Sequence, residues 1–359
     1  MTKNTDSLGI LELMSQPAFC VKDGIITQVN QAAKHYFIEK GAPVASILGD
    51  AKEEYAQFQD GCLYLMLNIS YEWFSASVTA VDDLHVFVLD PEGDQPALRA
   101  LALAAQELRN PMSDLMALAD NLFPELEHTC EDRIGSQIRH MNRSLYRVLR
   151  VIFNMSDAAR YALPGAPKQF TRNICEILDE IFKKAAHVAT HSQIKLIYHG
   201  LKEEVLTLVD EEKLERAVLN MVSNAMKYTK KGGTIEASLT RQEDRLYLSI
   251  QDDGSGIPED VLNNMHRRYR RFPTLDEGNN GVGLGMSLIR ACASAHGGAV
   301  LVTQPELPGA RTTMTIAIRQ GQETSLRDTI LIPDYAGERD HILVELSDCL
   351  PSELFSADF

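Results

Sequence analysis

The chain has 359 residues, a formal net charge of -15, 45% hydrophobic and 24% charged residues; that is enough apolar material for two or three cores, and it excludes wholesale disorder. An acidic chain lacks the excess of Lys and Arg that a nucleic-acid surface needs, so no nucleic acid is expected as a partner. The six cysteines (Cys20, Cys62, Cys130, Cys175, Cys292, Cys349) include no Cys-x-x-Cys pair, which excludes the usual zinc and redox frameworks and suits isolated thiols in a reducing cytosol.

The start MTKNTDSLGILELMSQP carries acidic residues and no long apolar stretch, unlike a signal peptide. No run of about 18 apolar residues occurs to span a membrane, and a cytoplasmic location is expected. A short helix is predicted over Leu8 to Met14, then two apolar runs flank Asp23-Gly24 as in a hairpin. A helical piece follows near Ala32 to Phe37, and CLYLMLNISY, WFSASVTAV and LHVFVLD alternate as strands do. This order over residues 1–95 resembles a PAS-type sensory domain with an abbreviated helical middle; a dimerisation module without a ligand fits the same pattern.

Two long stretches with helical spacing, from Ala97 to Leu126 and from Asp132 to Leu163, are joined by the polar turn EHTCED. They predict an antiparallel hairpin over 96–163 whose broad apolar stripe pairs with a second copy in a homodimeric four-helix bundle. Leu163-Pro164-Gly165-Ala166-Pro167 opens a linker. Over 164–320, helices are predicted at Asn173 to Val188, Glu211 to Tyr228 and Gly285 to His296. Strands are predicted at Ile194 to Tyr198, Thr234 to Leu239, Leu246 to Gln251, Ala299 to Thr303 and Thr312 to Ile318. Such alternation predicts an α+β sandwich with helices on one face of a mixed sheet. Residues 321–359 add one expected strand, His341 to Glu345, and an acidic end with no assigned role.

Three segments of this last region carry candidate ligand-binding residues. On a helix, Asn220, Asn224, Lys227 and Tyr228 fall on one side. Amide oxygens suit a magnesium ion, and a lysine and a phenol reach phosphate oxygens, although a solvated helix face has the same look. Asp252-Asp253-Gly254-Ser255-Gly256 follows a strand. Its glycines admit close approach of a flat ligand and its first carboxylate accepts from an exocyclic amine; an Asp-Gly turn reads likewise. Gly281-Val282-Gly283-Leu284-Gly285 opens a helix whose free amides cradle phosphates, a motif weak by itself.

Together and in this order, the three resemble the N box, G1 box and G2 box of the GHKL (Bergerat) ATP-binding fold, closest to sensor histidine kinases. The resemblance implies ATP and Mg2+ as cofactors. It implies magnesium coordination by Asn224, phosphate contacts from Lys227 and Tyr228, and recognition of the adenine amine by Asp252. HRRYRRF, with Arg267, Arg268, Arg270 and Arg271 around Tyr269, resembles the family's F box, in which an arginine near Arg271 helps neutralise the triphosphate; a basic lid that balances charge is the plainer reading. ATP-hydrolysing members of the superfamily carry a glutamate at the place of Asn220. An amide takes no proton from water, so simple hydrolysis is not expected.

Ala105-Gln106-Glu107-Leu108-Arg109-Asn110-Pro111-Met112 resembles the H box of the same family, with Gln106 where the phosphate-accepting histidine stands. A glutamine amide has no basic nitrogen to attack phosphorus. His128 lies near the hairpin turn, and His140 falls roughly 20 Å below the level of Gln106 at about 1.5 Å per residue, so both read as surface histidines. Glu107 and Asn110 occupy positions that in this family position water for dephosphorylation of a partner response regulator; they read equally as polar residues before a Pro111 kink. The expectations are thus a regulator phosphatase, a kinase of a separate histidine protein, or an ATP-binding pseudokinase paired with an active kinase.

Overall fold

The computed structural model describes residues 11, 14–91, 95–129, 132–161, 169–257, 284–305, 308–319 and 339–356. Most of the helix expected over Leu8 to Met14 lies outside them. Strands β1 (Ala18–Lys22) and β2 (Ile25–Val29) form the expected hairpin. Asp23 and Gly24 take φ of 50° and 75°, the two left-handed residues that match a two-residue turn to strand twist. Short helices α1 (Gln31–Lys34), α2 (Ala45–Leu48) and α3 (Lys52–Ala56) lead to β3 (Cys62–Ile69), β4 (Glu72–Val81) and β5 (Leu84–Pro91).

Helices α4 (Gln95–Thr129) and α5 (Asp132–Tyr161) make the hairpin. Ala105, Met112, Met116, Ala119 and Phe123 recur at helical spacing and are buried against Ile138, Leu149, Ile152 and Phe153. The expected turn EHTCED is shorter in the fold, because α4 continues to Thr129 and takes in Pro111 and Pro124.

The remaining elements are β6 (Phe170–Asn173), α6 (Ile174–Ala189), β7 (Lys195–His199), β8 (Leu206–Val209), α7 (Glu211–Tyr228), β9 (Thr234–Gln242), β10 (Arg245–Asp252), α8 (Gly285–Ala295), β11 (Val300–Thr303), β12 (Arg311–Ala317) and α9 (His341–Leu346). The sequence reading lacks β6 and β8, four residues each, which pair only with one another. It also has α9 as a strand. Asp340 caps this helix, its Oδ1 accepting from the Ile342 and Leu343 amides, and Ile342, Leu343 and Val344 are all buried; an apolar run buried all round carries no period to separate helix from strand.

One sheet runs in the order β2-β1-β5-β4-β3-β11-β12-β10-β9-β7. It is antiparallel except for β7 against β9. The first five strands and the last five meet where β3 pairs with β11, Leu63 opposite Leu301. Gly61 makes this possible: with φ of +82°, a Cβ there would stand 2.2 Å from the Val302 carbonyl oxygen. The seam is reinforced by Arg245, which donates to Glu53 and Glu54, and by Arg290, whose guanidinium lies 3.3 Å over the Tyr64 ring. Two separate apolar cores flank it, one around Phe19, Phe74 and Phe87, the other between α6, α7, α8 and β9, β10 and β12. The second core carries the candidate site on its rim.

Candidate functional site

Helix α7 is set by its ends. Asp210 caps it, accepting from the Lys213 amide at 3.2 Å, with Glu211 and Glu212 in the first turn and Lys227 in the last, each matched to the helix dipole. The Thr229 hydroxyl donates to the Ala225 carbonyl at 2.8 Å and closes the other end. Along the helix, Asn220 is buried at 1% exposure, Asn224 and Lys227 are half-buried, and Tyr228 is 42% exposed. The expected one-sided row therefore deepens toward its N-terminal end.

Asn220 is fully engaged. Its Nδ2 donates to the Arg216 carbonyl at 2.8 Å and to Glu345 Oε2 at 3.3 Å, and its Oδ1 accepts from Arg150 Nη2 at 3.2 Å. Gly285, at the start of α8, lies directly above, where a Cβ would stand 2.9 Å from Asn220 Oδ1. Lys227 Nζ is 3.3 Å from Asp348 Oδ2. At the other end of the row, Asp252 closes β10, and its Oδ1 accepts from the amides of Gly254 at 3.0 Å and Ala310 at 3.3 Å. Burial pushes the Asp252 carboxyl above its ordinary value, against the pull of those amides. Burial likewise raises the Tyr228 phenol, with Asp252 adding to it.

Gly254 sits against the last turn of α7: a Cβ there would be 2.3 Å from the Tyr228 carbonyl oxygen. Gly256 has φ of +75°, with Gln304 2.9 Å from where its Cβ would be. Hence Tyr228, Asp252 and Gly254 adjoin at one end, and Asn220 and Gly285 at the other. Arg271, Gly281 and Gly283 lie outside the described residues.

Behind this row lie buried charges that the residue pattern does not reveal. Arg216 Nε donates to Glu345 Oε1 at 2.9 Å, its Nη2 to Asn154 Oδ1 at 2.8 Å, and its Nη1 to Asp157. Arg150 donates to Glu345 at 3.3 Å and to Asp348 at 2.8 Å. Only the arginines' place on apolar helix faces hinted at them, since an isolated buried arginine is rare without a partner.

Residues 209–322 match the model of the family described as histidine kinase-, DNA gyrase B-, and HSP90-like ATPase. The chain is 28% identical over 234 residues to the adaptive-response sensory kinase SasA of Crocosphaera subtropica, a match covering 62% of this chain and 60% of that protein. It is 24% identical over 306 residues to the sensor histidine kinase WalK of Bacillus subtilis, covering 78% of this chain and 49% of that one. Sensor histidine kinases are thus among the relatives of this chain, which carries an ATPase domain of that family. A solved structure of ShkA full-length in complex with AMPPNP is similar at a TM-score of 0.49 and 21% identity, over 62% of this chain and 47% of that one. The chain spans about half the length of the curated relatives it matches.

Outside that ATPase domain, Gln106, Glu107 and Asn110 are exposed on α4. The Arg109 guanidinium lies 5.9 Å over the Phe153 ring, so this level of α4 faces the level of α5 whose Asn154 and Asp157 hold Arg216 of α7. His140 is exposed further along α5, while the side chain of His128 lies outside the described residues. No helix among the described residues is long and apolar enough to cross a membrane.

Proposed function

We propose that this chain is a histidine-kinase-like protein of two-component signal transduction that holds Mg-ATP between α7 and the end of β10 and does not phosphorylate itself. The observation that carries the reading is the meeting of Asp252 and Gly254 with the last turn of α7. It puts an acceptor for an adenine amine beside a row of amide, ammonium and phenol groups. Asn220 is already held by Arg150 and Glu345, so Asn224 is the amide left to a magnesium ion. Lys227, Tyr228, Arg271 and the amides of Gly281, Gly283 and Gly285 suit the phosphates. A magnesium ion supplies charge neutralisation at the phosphate oxygens. Asn220 takes no proton from water, which works against plain ATP hydrolysis.

On the hairpin, Gln106 supplies no acceptor nitrogen. Exposed Glu107 and Asn110, three apart on one helix, suit a water held for dephosphorylation of a response regulator. Pro111 adds a second reason for this spot to be functional: it cannot donate to the Glu107 carbonyl four residues back, leaving that oxygen without its helical partner. Leu103, Leu115, Leu118 and Leu122 on α4 are each more than half exposed, as is Met141 on α5. Such an apolar stripe fits a second copy of this hairpin.

Incubation with γ-labelled Mg-ATP should leave no acid-labile phosphate on the chain; label that His128→Ala or His140→Ala removed would contradict the reading. Phosphorylated regulator should lose its phosphate in the presence of the chain and about a hundred-fold more slowly with Asn110→Ala. An unchanged rate would instead favour a pseudokinase that works through a partner kinase.

A further inference from the structure

The last described stretch, residues 339–356, lies between the hairpin and α7 and is anchored to both. Toward α5, Asn142 Nδ2 donates to the Phe355 carbonyl at 2.9 Å, and Arg143 donates to the carbonyls of Ser347 and Asp348, each at 3.0 Å. Val344 is fully buried in the hairpin core with Met112, Leu149 and Phe153, and Phe355 meets Tyr146 edge-on. Toward α7, the Cys349 thiol donates to the Ser223 carbonyl at 3.4 Å. Two acids of this stretch, Glu345 and Asp348, meet the two ends of the candidate row: Glu345 accepts from Asn220, and Asp348 pairs with Lys227.

Resting on the nucleotide-binding reading above, we propose that Asp348 is an internal anion that competes with a nucleotide phosphate for Lys227, so that the C-terminal stretch sets the affinity of the site. The carboxylate stands where a phosphate oxygen would pair with the ammonium. Asp348 is met by three cations: Lys227 at 3.3 Å, Arg147 at 2.9 Å and Arg150 at 2.8 Å. Burial works to raise its carboxyl, but Arg150, Lys227 and Arg147 outweigh burial and hold it below the ordinary carboxylate value. It is therefore ionised at neutral pH.

The exchange is local. On losing Lys227, Asp348 keeps both arginines, so no buried charge is stranded. Helix α9 keeps its apolar anchors. A triphosphate that takes Lys227 need only turn the lysine away from Asp348, and its binding is weakened by whatever that pairing is worth. Neutralising Asp348 removes the competitor and should strengthen binding, but only while Lys227 is there to be released.

A double-mutant cycle tests this, read as the dissociation constant of the full chain for AMP-PNP with magnesium. Asp348→Asn, which keeps the shape of the side chain and an acceptor for the arginines, should bind about five- to ten-fold more tightly. In a Lys227→Ala background the same substitution should change affinity less than about two-fold. An Asp348→Asn chain that binds no more tightly, or whose gain persists without Lys227, overturns the competition. Binding absent from both the parent and Asp348→Asn overturns the nucleotide reading itself, and the competition with it. Hydrogen exchange on the unaltered chain is the second measurement. With only the lysine turning away, saturating AMP-PNP should change exchange of the Leu346–Leu350 amides less than about two-fold, and a ten-fold acceleration there would show that the stretch itself is displaced, which contradicts a local exchange at Lys227.

Discussion

His296 is 1% exposed and wedged behind α7: its Nδ1 donates to the Cys292 carbonyl at 2.8 Å, while its Nε2 accepts the Asp210 amide at 3.1 Å. The contact at Nε2 requires the neutral ring, since a protonated Nε2 cannot accept, and burial lowers its pKa below the ordinary 6.5. The unfolded chain therefore takes up a proton that the folded chain refuses. Stability is whole above the unfolded value and is lost as pH falls through it toward the lower folded value, by at most about 1.4 kcal/mol per pH unit. Urea unfolding between about pH 7.5 and pH 5.5 should show this decline, and His296→Gln should flatten it. At Gly254 the sequence suggests room for a flat ligand, yet the first demand on this position comes from the Tyr228 carbonyl, 2.3 Å from where a Cβ would be. Gly254→Ala should cost about 1–3 kcal/mol in the same assay, before any ligand is added.

Helix α7 is legible in the sequence to the residue, Glu211 to Tyr228, because Asp210 stands as a capping acid and the helical period of the apolar residues runs the whole length after it. Helix α9 is not, because Ile342, Leu343 and Val344 are enclosed on every side and give no period. The same enclosure hides the charge cluster. Nothing in the spacing of Arg150, Arg216 and Glu345 shows that three separate segments converge, since that convergence is tertiary. Arg216→Ala would take one of two arginines from the fully buried Glu345, which keeps Arg150, and would remove the pairing of Arg216 with Asp157; a loss of about 3 kcal/mol in unfolding free energy is expected from denaturant titration. Replacing Arg216 and Glu345 together by methionine should cost less than the single change, since it removes one charge of each sign, although Asp157 still loses its pairing with Arg216.

At the scale of the molecule, the strands themselves are legible but their joining is not: alternation marks β3 and β11 as strands without saying that they pair. Gly61 is the residue that permits the seam. Gly61→Ala, strained at φ +82° and facing the Val302 carbonyl, should cost about 2 kcal/mol or more. It should also split the unfolding curve, with the fluorescence of Trp73, the one tryptophan, changing before far-UV circular dichroism does. The row on α7 and its neighbour Asp252 would together form one nucleotide site. Titration of the chain with AMP-PNP in magnesium tests it most directly, comparing the parent with Asn224→Ala. Saturable binding by the parent and at least about ten-fold weaker binding by the variant are expected; equal affinity of the two would rule out Asn224 as a ligand of the site.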